Sequence, residues 1–529
     1  MSNDAARTGW WHDAVGYEIY VRSFADSDGD GVGDLAGITE RLDHLVELGV
    51  DVIWITPFYR SPMADFGYDV ADYTDVDPTF GDVDDFERLT GAAHERGMKV
   101  VVDIVPNHCS SAHRWFQQAL ADPDGPYRDY FIWRDPAADG GYPNNWVGYF
   151  GGPVWTLDPS SGQYYLHMFL PEQPDLNWRN PAVLDEFDAI LRTWLDRGVD
   201  GFRVDVAQAL VKDEELRDNP QLSAIAPDAD RWEEWDAFDH QHDVLQPGTR
   251  DVFARWKAIT SEYDAVLIGE TYVLDPAELD QLLDGRGLDI GFWFKPMHIE
   301  WDPVQIRATL EELLAGVSDP RMIGWVAASH DEIRPPTRFG GGDMGRRRAL
   351  AFSTLLFGLP GVPFLYQGEE LGLLEGIVPE DRRADPVGAD VTKSRDGCRT
   401  PMPWEPGVSF GFSTNPDTWL PHGGRVDADT AAVQRHQDDS WFARYAGLVA
   451  LRHEYAELRS GDVVWIDRPD KEVVSYRRGS LAVIANTADA AARVGLAGEI
   501  VYSTLGRSGS LVADDDLSGA EAVVLRIAE

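Results

Sequence analysis

The stretch VDGFRVDV, residues 199–206, decides the fold of this chain. It is a short run of β-branched and aromatic residues that directly follows the longer stretch NPAVLDEFDAILRTWLDRG, residues 180–198. In the longer stretch apolar residues recur at i, i+3 and i+4 behind an asparagine, which predicts an amphipathic helix, whereas the short run predicts a buried strand. A helix that leads into a buried strand is the repeating unit of a parallel α/β fold.

The same alternation extends from about residue 15 to residue 370. Helix-like stretches such as DVDDFERLTGAAHERG (82–97) separate eight strand-like runs. Eight strands that alternate with helices predict a closed (β/α)8 TIM barrel rather than an open sheet. The predicted strands are VGYEIYVRSF (15–24), VDVIWITPF (50–58), MKVVVDIVPN (98–107), VDGFRVDV (199–206), AVLIGET (265–271), LDIGFWF (288–294), IGWVAASHD (323–331) and GVPFLYQGEE (361–370).

Three segments depart from this alternation. Residues 109–178, between the third and fourth strands, are rich in Trp, Tyr, Pro, Asp and Gly, and they are too long for a simple loop, so they predict an inserted subdomain. Residues 371–439, dense in Pro, Gly and charge, predict a lid-like insertion over the barrel top. Short alternating runs in residues 459–529 predict a C-terminal antiparallel β-domain. The barrel itself then occupies 1–108 and 179–458.

The composition indicates a globular protein and argues against some classes of binding partner. The 91 acidic residues outnumber the 46 basic ones, and the net charge of −45 repels nucleic acid and anionic membranes. Because the start MSNDAARTGWWHDAVGYEIY has no basic segment followed by an apolar one, and no run of about 18 apolar residues occurs, a cytoplasmic location is expected. The two cysteines, Cys109 and Cys398, offer neither a disulfide framework nor a CxxC metal pair.

Polar side chains gather at the predicted strand ends, where the functional groups of a (β/α)8 enzyme lie. A single carboxylate there is weak evidence in a chain with 91 acidic residues. Carboxylates at three strand ends, with a cation two residues before one of them and histidines at two of the strand ends, are not explained by a solvated surface. These residues are His108, Arg203, Asp205, Glu270, His330 and Asp331.

The arrangement matches the needs of glycoside hydrolysis, which takes one carboxylate as nucleophile and one carboxylic acid as proton donor. Asp205 suits the nucleophile, because Arg203 shares its strand face and favours the ionised form. Glu270 suits the acid/base, which has to stay protonated near neutral pH. Asp331 would hold sugar hydroxyls in a geometry reached fully only at the transition state.

Four stretches resemble, in the same order, the signature stretches of the α-amylase family of glycoside hydrolases: DIVPNH (103–108), GFRVDV (201–206), GET (269–271) and SHD (329–331). Four more are similar to its α-glucosidase and oligo-1,6-glucosidase branch: YEIYVRSFADSDGDGVGDLAGI (17–38), DFGYDV (65–70), QPDLNW (173–178) and CRTPMPW (398–404). The resemblance covers nearly the whole chain. It implies the three catalytic roles above, and it identifies the insertion after the third strand with the family's B domain.

The resemblance also implies a pocket for the terminal glucose. Tyr68 would be its stacking platform, the two histidines would bind hydroxyls, and Asp65 and Arg399 would together grip the non-reducing end of the sugar. Asp103 is expected to be structural, and Ser329, where the family usually has Asn, is expected to change only the surroundings of Asp331. The implied substrate-binding residues are Asp65, Tyr68, His108, Arg203, His330 and Arg399.

The stretch DSDGDGVGD, residues 26–34, predicts a cation site. Asp26, Asp28, Asp30, the Val32 carbonyl and Asp34 occupy positions 1, 3, 5, 7 and 9 of an EF-hand-like loop. No bidentate glutamate closes the loop, and it follows a strand, so a structural Ca²⁺ is expected rather than a sensor site. Mg²⁺ and a metal-free turn are the alternatives. No pattern points to zinc, a phosphate-binding loop or an organic cofactor.

The predicted function is exo-acting, retaining hydrolysis of short α-glucosides by a monomer or homodimer. Oligo-1,6-glucosidase activity, and glucosyl transfer or trehalose synthesis on the same covalent intermediate, are the alternatives. Val206, directly after the nucleophile, resembles the α-1,6-cleaving members, whereas residues 380–404 are similar to broad α-glucosidases that cleave maltose-type bonds, which we favour. An inactive binding subunit is a third hypothesis, but all three carboxylates are present and no membrane segment is encoded.

Overall fold

The computed structural model of the chain describes residues 9–226, 228–273, 275–387, 394–467 and 471–527. Eight parallel strands close into a barrel, which confirms the predicted fold. Their order around the barrel follows their order along the chain. The strands are β1 Gly16–Ile19, β2 Val52–Ile55, β3 Lys99–Ile104, β4 Gly201–Val204, β5 Val266–Thr271, β6 Ile290–Trp293, β7 Ile323–Val326 and β8 Val362–Tyr366.

The strands are buried on both faces. Trp54, Phe292 and Phe364 belong to an apolar cluster that fills the barrel interior. Ile53 and Ile55, the alternate residues of β2, join the larger core that the strands share with the surrounding helices. Since side chains at i and i+2 share a face, each strand sends its alternate residues towards the barrel axis.

A helix of 7 to 16 residues that surrounds the barrel follows each strand. The helix starts are fixed by side-chain caps: Asp82 and Asp85 form a capping box, and Asn180 caps a helix whose first residue is Pro181. The helices are α1 Leu35–Leu48, α2 Val83–Glu95, α3 Pro181–Asp196, α4 Thr249–Thr260, α5 Pro276–Leu282, α6 Pro303–Gly316, α7 Gly342–Phe357 and α8 Trp441–Glu454.

The segment between β3 and α3 contains a small sheet of its own. Its three antiparallel strands are Trp133–Arg134, Trp155–Asp158 and Gln163–Leu166, and all lie within the predicted insertion. An isolated bridge between His108 and Asp175 brings the two ends of this segment close together. The insertion therefore starts and ends at the carboxyl end of β3.

A six-stranded sheet forms the C-terminal domain, as predicted. The Arg478 Nη1 atom donates to the Gly358 carbonyl at 2.6 Å, which ties the sheet to the end of α7. The predicted boundary at residue 459 stays a prediction. The strands are Val464–Trp465, Val473–Arg478, Leu481–Asn486, Gly498–Ser503, Ser510–Leu511 and Ala522–Arg526, and a separate pair consists of Ala492–Arg493 and Asp516–Leu517.

The remaining elements are short. Within the described residues, we find no helix with the length and apolarity needed to cross a membrane. Strands Tyr59–Arg60 and Asp72–Val76 pair with each other. The short helices are Val21–Phe24, Arg114–Ala121, Arg231–Trp235, Lys295–His298, Pro335–Arg338, Ala431–Gln434 and Ala456–Arg459, and the 3₁₀ turns are Trp10–Asp13, Arg128–Tyr130, Ala207–Ala209, Pro320–Met322, Glu380–Arg382, Val408–Gly411 and Asp427–Asp429.

Candidate active site

A pocket opens at the carboxyl ends of the barrel strands. The barrel, the insertion after β3, the loop after β4 and the segment after β8 all contribute to its wall. Its lining includes the three predicted catalytic carboxylates. The lining residues are Asp65, Tyr68, His108, Tyr149, Phe150, Phe169, Asp205, Val206, Gln208, Arg231, Trp232, Glu270, Tyr272, Asp331, Glu332 and Arg395.

Arg203 on β4 lies at the centre of the acidic residues. Its Nη1 atom donates to Asp103 Oδ1 and to Asp205 Oδ1, each at 2.7 Å, and its Nη2 atom contacts Glu270 Oε1 at 2.5 Å. Arg203 is 1% exposed, so these bonds form away from water and are stronger than surface ion pairs. One guanidinium therefore holds carboxylates from three neighbouring strands.

Burial sets the protonation of these acids. It raises the pKa of Asp103 to about 6, although Arg203 and the Trp54 indole oppose the shift. Burial, and next the charge of Glu270, also raise the pKa of Asp205, and Arg203 only partly offsets them. The direction is opposite to the one predicted from Arg203 alone.

Val206 orients Glu270 through its backbone. Its φ angle is 45°, in the left-handed region that a β-branched residue rarely adopts. In this conformation the Val206 N–H donates to Glu270 Oε2 at 2.9 Å, while Arg203 holds Oε1. The strained turn directly after Asp205 thus fixes the second carboxyl group next to the first.

Asp331 follows β7, and its carboxylate contacts three cationic or polar side chains. Its Oδ1 atom accepts from Arg399 at 2.6 Å and from Arg395 at 3.1 Å, and its Oδ2 atom lies 3.2 Å from His330 Nε2. Although burial would raise the pKa of Asp331, His330, Arg395 and Arg399 together hold it well below its ordinary value. Asp331 is therefore ionised, with its side chain 36% exposed towards the pocket. Ser329 Oγ accepts from the Asp331 N–H at 3.2 Å.

Asp65 and Arg399, which are predicted to grip the non-reducing end of the sugar, bind different protein groups in the structure. Asp65 Oδ1 accepts from Arg395 Nη2 at 2.8 Å, whereas Arg399 donates to the His330 carbonyl and to Asp331. The Arg399 N–H bonds back to the Arg395 carbonyl, so the two arginines lie one turn apart; both donate to Asp331, but Asp65 is bound by Arg395. Arg395 also binds Asp385 at 2.8 Å. The sequence offered no signal to choose between two arginines in one turn.

The other predicted binding residues line the pocket or a small cavity next to it. Tyr68 and His108 line the pocket, while Arg203 and His330 line a small cavity directly below it. The Tyr68 ring stacks on the His330 ring at 5.4 Å between centroids. Burial lowers the pKa of His108, so its ring is neutral. Gln173, which we did not predict, contacts His108 Nε2 at 3.0 Å from the insertion.

Aromatic residues that the sequence analysis missed form the outer wall. Tyr149 stacks on Phe169 at 4.9 Å within the insertion, and Trp232 stacks on Tyr272 at 5.1 Å across the pocket mouth. Gln208 connects both pairs, because it donates to the Tyr149 hydroxyl and accepts from the Tyr272 N–H. Flat apolar faces of this kind suit sugar rings. No periodicity in the sequence marks them, since they come from loops.

The loop after β1 gathers part of the predicted cation ligands. Carboxylate oxygens of Asp26, Asp28 and Asp34 lie within 4.8 Å of one another. Asp30 is outside this group and accepts from the Val32 N–H instead. Three carboxylates in so small a space form an oxygen-only donor set that fits a hard cation such as Ca²⁺ or Mg²⁺.

Comparison with known proteins adds to this geometry. Residues 18–461 match the family described as "Alpha amylase, catalytic domain". An α-glucosidase of Culex pipiens is 37% identical over 475 residues, which cover 86% of this chain and 77% of that protein. An oligo-1,6-glucosidase of Parageobacillus thermoglucosidasius is 35% identical, with 97% and 96% covered. The solved structure of an α-glucosyl transfer enzyme superimposes with a TM-score of 0.89 at 37% identity, with 98% and 100% covered.

Proposed function

The chain belongs to the α-amylase family of glycoside hydrolases, and from this membership we propose that it is a retaining, exo-acting α-glucosidase. It releases terminal glucose from short α-glucosides, with maltose-type bonds preferred, through a covalent glucosyl–aspartate intermediate. The relatives called α-glucosidase and oligo-1,6-glucosidase support the activity. The observation that carries the proposal is the Arg203 guanidinium, which joins the Asp205 and Glu270 carboxyl groups from two neighbouring strands.

The short distance imposed by Arg203 favours retention. Asp205 and Glu270 each bind one end of a single guanidinium, which leaves little room for a water molecule between sugar and base. Carboxyl groups about 5–5.5 Å apart are typical of retaining glycosidases, in which one carboxylate attacks the anomeric carbon. We therefore assign Asp205 as the nucleophile that forms the glucosyl ester.

Glu270 is the proposed acid and base. In the first step the Glu270 carboxylic acid gives its proton to the departing glycosidic oxygen, and in the second the carboxylate takes a proton from the attacking water. The Val206 N–H and Arg203 hold its two oxygens, so the carboxyl group keeps one orientation through both steps. Asp331, ionised and open to the pocket, binds sugar hydroxyls on the opposite side.

The closed end of the pocket supports exo action. Asp65 and Arg395 form a salt bridge there at 2.8 Å, and Gln173 reaches Asp65 Oδ2 at 3.4 Å from the insertion. A sugar chain cannot continue through a wall of paired charges without breaking these bonds. The non-reducing terminal glucose is then the unit that fits between this wall and Asp205.

The bond preference and the fate of the intermediate depend on the mouth of the pocket. Trp232, Tyr272 and Glu332 line it on the side where a leaving sugar or an acceptor would lie. Glucosyl transfer is a second candidate function, and the 37% identity to an α-glucosyl transfer enzyme over nearly the whole chain favours it. Water and sugar acceptors compete for the same ester, so both activities can occur on one site.

The test is to incubate the protein with maltose, isomaltose, sucrose and trehalose and to follow glucose and new disaccharides by chromatography. We expect maltose to be consumed fastest and the first-formed glucose to be the α-anomer by NMR. A β-anomer would contradict retention, and the absence of any consumption would contradict the proposed function. New disaccharides at high substrate concentration would add glucosyl transfer.

A structural cation is part of the proposal. Asp26, Asp28 and Asp34 would hold Ca²⁺, or Mg²⁺, and the ion would fix the loop between β1 and α1. Asp34 also caps α1 by accepting from the Gly37 N–H, so the ion would stabilise the helix start as well. Small α-glucosides are the only partners proposed. The cytoplasmic location and the monomeric or homodimeric state stay predictions.

A further inference from the structure

A buried glutamate on β1 contacts the histidine that precedes Asp331. Glu18 is 1% exposed, and it pairs in register with Trp54 of β2 and Tyr366 of β8, so its side chain points into the barrel. Its Oε1 atom lies 2.5 Å from His330 Nδ1 and accepts the His330 backbone N–H at 3.2 Å. Among the described residues, no lysine or arginine forms a salt bridge with Glu18.

The second ring nitrogen of His330 has to carry a proton. His330 Nε2 lies 3.2 Å from Asp331 Oδ2, and the ionised Asp331 can only accept a hydrogen bond. The Tyr68 hydroxyl, 2.9 Å from Nε2, is then a further acceptor for this N–H. The Tyr68 hydroxyl in turn donates to Asp103 Oδ2 at 3.3 Å. With the proton on Nε2, His330 donates to the Tyr68 hydroxyl, and the Tyr68 hydroxyl donates to Asp103.

The first ring nitrogen shares its proton with Glu18. A hydrogen bond between Nδ1 and a carboxyl oxygen holds one proton between them. The proton resides on Glu18 with a neutral ring or on Nδ1 with a carboxylate, and the pair is neutral overall in both cases. A neutral pair adds no charge beside the acids around Arg203.

We propose that Glu18 is a positioning residue that shares one proton with His330 and thereby holds His330 as an Nε2–H donor towards Asp331 and the bound sugar. Burial raises the pKa of Glu18 and lowers the pKa of His330 to about 3, which agrees with a proton held close to Glu18. The charged and titratable groups that face the pair are Tyr20, Tyr68, Asp103, Arg203, Asp331, Tyr366, Arg395 and Arg399.

The role of His330 towards the sugar rests on the proposed glucosidase function, whereas the inferred tautomer of the His330 ring does not depend on that function. With Nε2–H fixed, His330 donates to a glucose hydroxyl that Asp331 also binds, and the carboxylate accepts from the same hydroxyl. If the tautomer were reversed, an unprotonated Nε2 would face the Asp331 carboxylate and the two acceptors would repel each other. Which ring nitrogen carries the proton is set by the partner of the other.

The direct test is the ring tautomer of His330. Full-length protein with ¹⁵N-labelled histidine rings is measured by long-range ¹H–¹⁵N correlation, and the His330 signals among 13 histidines are assigned from their loss in His330→Gln. We expect a protonated Nε2 and an Nδ1 signal of intermediate, shared-proton character at pH 7. An unprotonated Nε2 overturns the proposal, and this readout needs no active enzyme.

The variant Glu18→Gln tests the consequence. Its amide oxygen would still accept the His330 backbone N–H, so the neutral ring has to place its proton on Nδ1 and loses it from Nε2. We expect kcat/KM to fall about ten- to a hundredfold at pH 7. The ring signals of His330 in this variant should show the proton on Nδ1 and none on Nε2. An unchanged kcat/KM with Nε2 still protonated would overturn the proposal.

A second buried pair provides the matched control. Glu370 Oε1 lies 2.9 Å from His44 Nε2 and 3.1 Å from the Tyr17 hydroxyl, away from the pocket. Glu370→Gln removes a carboxylate of equal burial, and we expect it to change stability but neither the pH optimum nor the His330 signals. If Glu18→Gln does not fold, the wild-type tautomer alone decides. If the wild type cleaves no glucoside, the function fails and the tautomer result still stands.

Discussion

Acidic side chains are crowded in two places on this chain, at the ends of strands β3 to β5 and in the loop after β1, and the two groups are neutralised differently. At the strand ends Asp103, Asp205 and Glu270 all bind the guanidinium of Arg203. In the loop Asp26, Asp28 and Asp34 come within 4.8 Å of one another, and no described lysine or arginine forms a salt bridge with them.

The difference indicates what each group does. A cation that belongs to the chain is always present, so the barrel acids keep a fixed geometry and unusual proton affinities, as catalysis requires. The loop acids are partly satisfied by backbone donors: Asp26 accepts from the N–H groups of Gly29 and Gly31, at 2.7 and 2.8 Å. Their remaining charge has to be balanced from solution, which suits a structural ion.

The largest expected difference between the two groups is in activity. Asp205→Asn removes the nucleophile, and we expect kcat to fall by about 10⁴-fold or more, equivalent to about 5.5 kcal/mol of activation free energy. Asp28→Asn in the loop should leave kcat within about threefold of the wild type when calcium is present. The check is initial-rate kinetics on maltose at 25 °C. Comparable losses in both variants would contradict the separation into a catalytic and a structural group.

Removal of the internal cation should have the next largest effect. Arg203→Met leaves buried carboxylates unpaired, and we expect the free energy of unfolding to fall by about 3–5 kcal/mol at pH 7. The folded-state pKa of Asp103, already about 6 beside Arg203, would rise further in the variant. A group whose pKa is raised in the folded state contributes stability at pH values below its unfolded-state pKa, and this contribution is lost as the pH rises. The deficit in the free energy of unfolding of Arg203→Met should therefore shrink near pH 4.

Urea unfolding of Arg203→Met and wild type at pH 7 and pH 4 measures this deficit. The matched control is Arg197→Met, whose arginine lies on the helix side and donates to the Thr74 carbonyl at 2.8 Å without a described ion pair. We expect a small loss with no pH dependence there. A deficit of Arg203→Met that stays constant between the two pH values would mean that packing, not charge, causes it.

The two groups also differ in how far the sequence predicts them. The barrel acids were predicted because β-branched runs mark the strands and alternate residues share a face, so Arg203 and Asp205 had to point together. The loop ligands were predicted from spacing alone, and spacing did not reveal that Asp30 turns to the Val32 N–H. Sequence spacing predicts which side chains lie near one another, but it does not predict which carboxylates accept hydrogen bonds from backbone N–H groups.

The rest of the site depends on contacts that the sequence pattern does not contain. The salt bridge of Asp65 with Arg395 joins residues 330 positions apart, and a single turn decides between Arg395 and Arg399. The aromatic wall of Trp232 and Tyr272 comes from two loops of irregular sequence. Glu18 lies within a strand that otherwise reads as core, and only its 2.5 Å contact with His330 reveals a role.

Addition of calcium tests the loop side of the comparison. If the loop binds the ion, the free energy of unfolding should rise by about 2.7 kcal/mol at a free concentration one hundred times the dissociation constant. Asp28→Asn should weaken this response, and Asp205→Asn should keep it. The measurement is urea unfolding in EDTA, in CaCl₂ and in MgCl₂. Stability that is the same in all three conditions would contradict a cation site in this loop.

The smallest expected effect is a shift of the acid limb in the pH dependence of kcat/KM. Burial, and next the charge of Glu270, raise the pKa of Asp205, so the wild type should lose activity at a higher pH than an ordinary aspartate would dictate. In Glu270→Gln that charge is absent, and we expect the acid limb of kcat/KM to move down by about one pH unit, or about 1.4 kcal/mol. α-Glucosyl fluoride is the substrate, because its leaving group needs no acid. Asp28→Asn should leave the acid limb in place. If the limb does not move in Glu270→Gln either, burial alone, and not the neighbouring Glu270 carboxyl group, sets the proton affinity of the nucleophile.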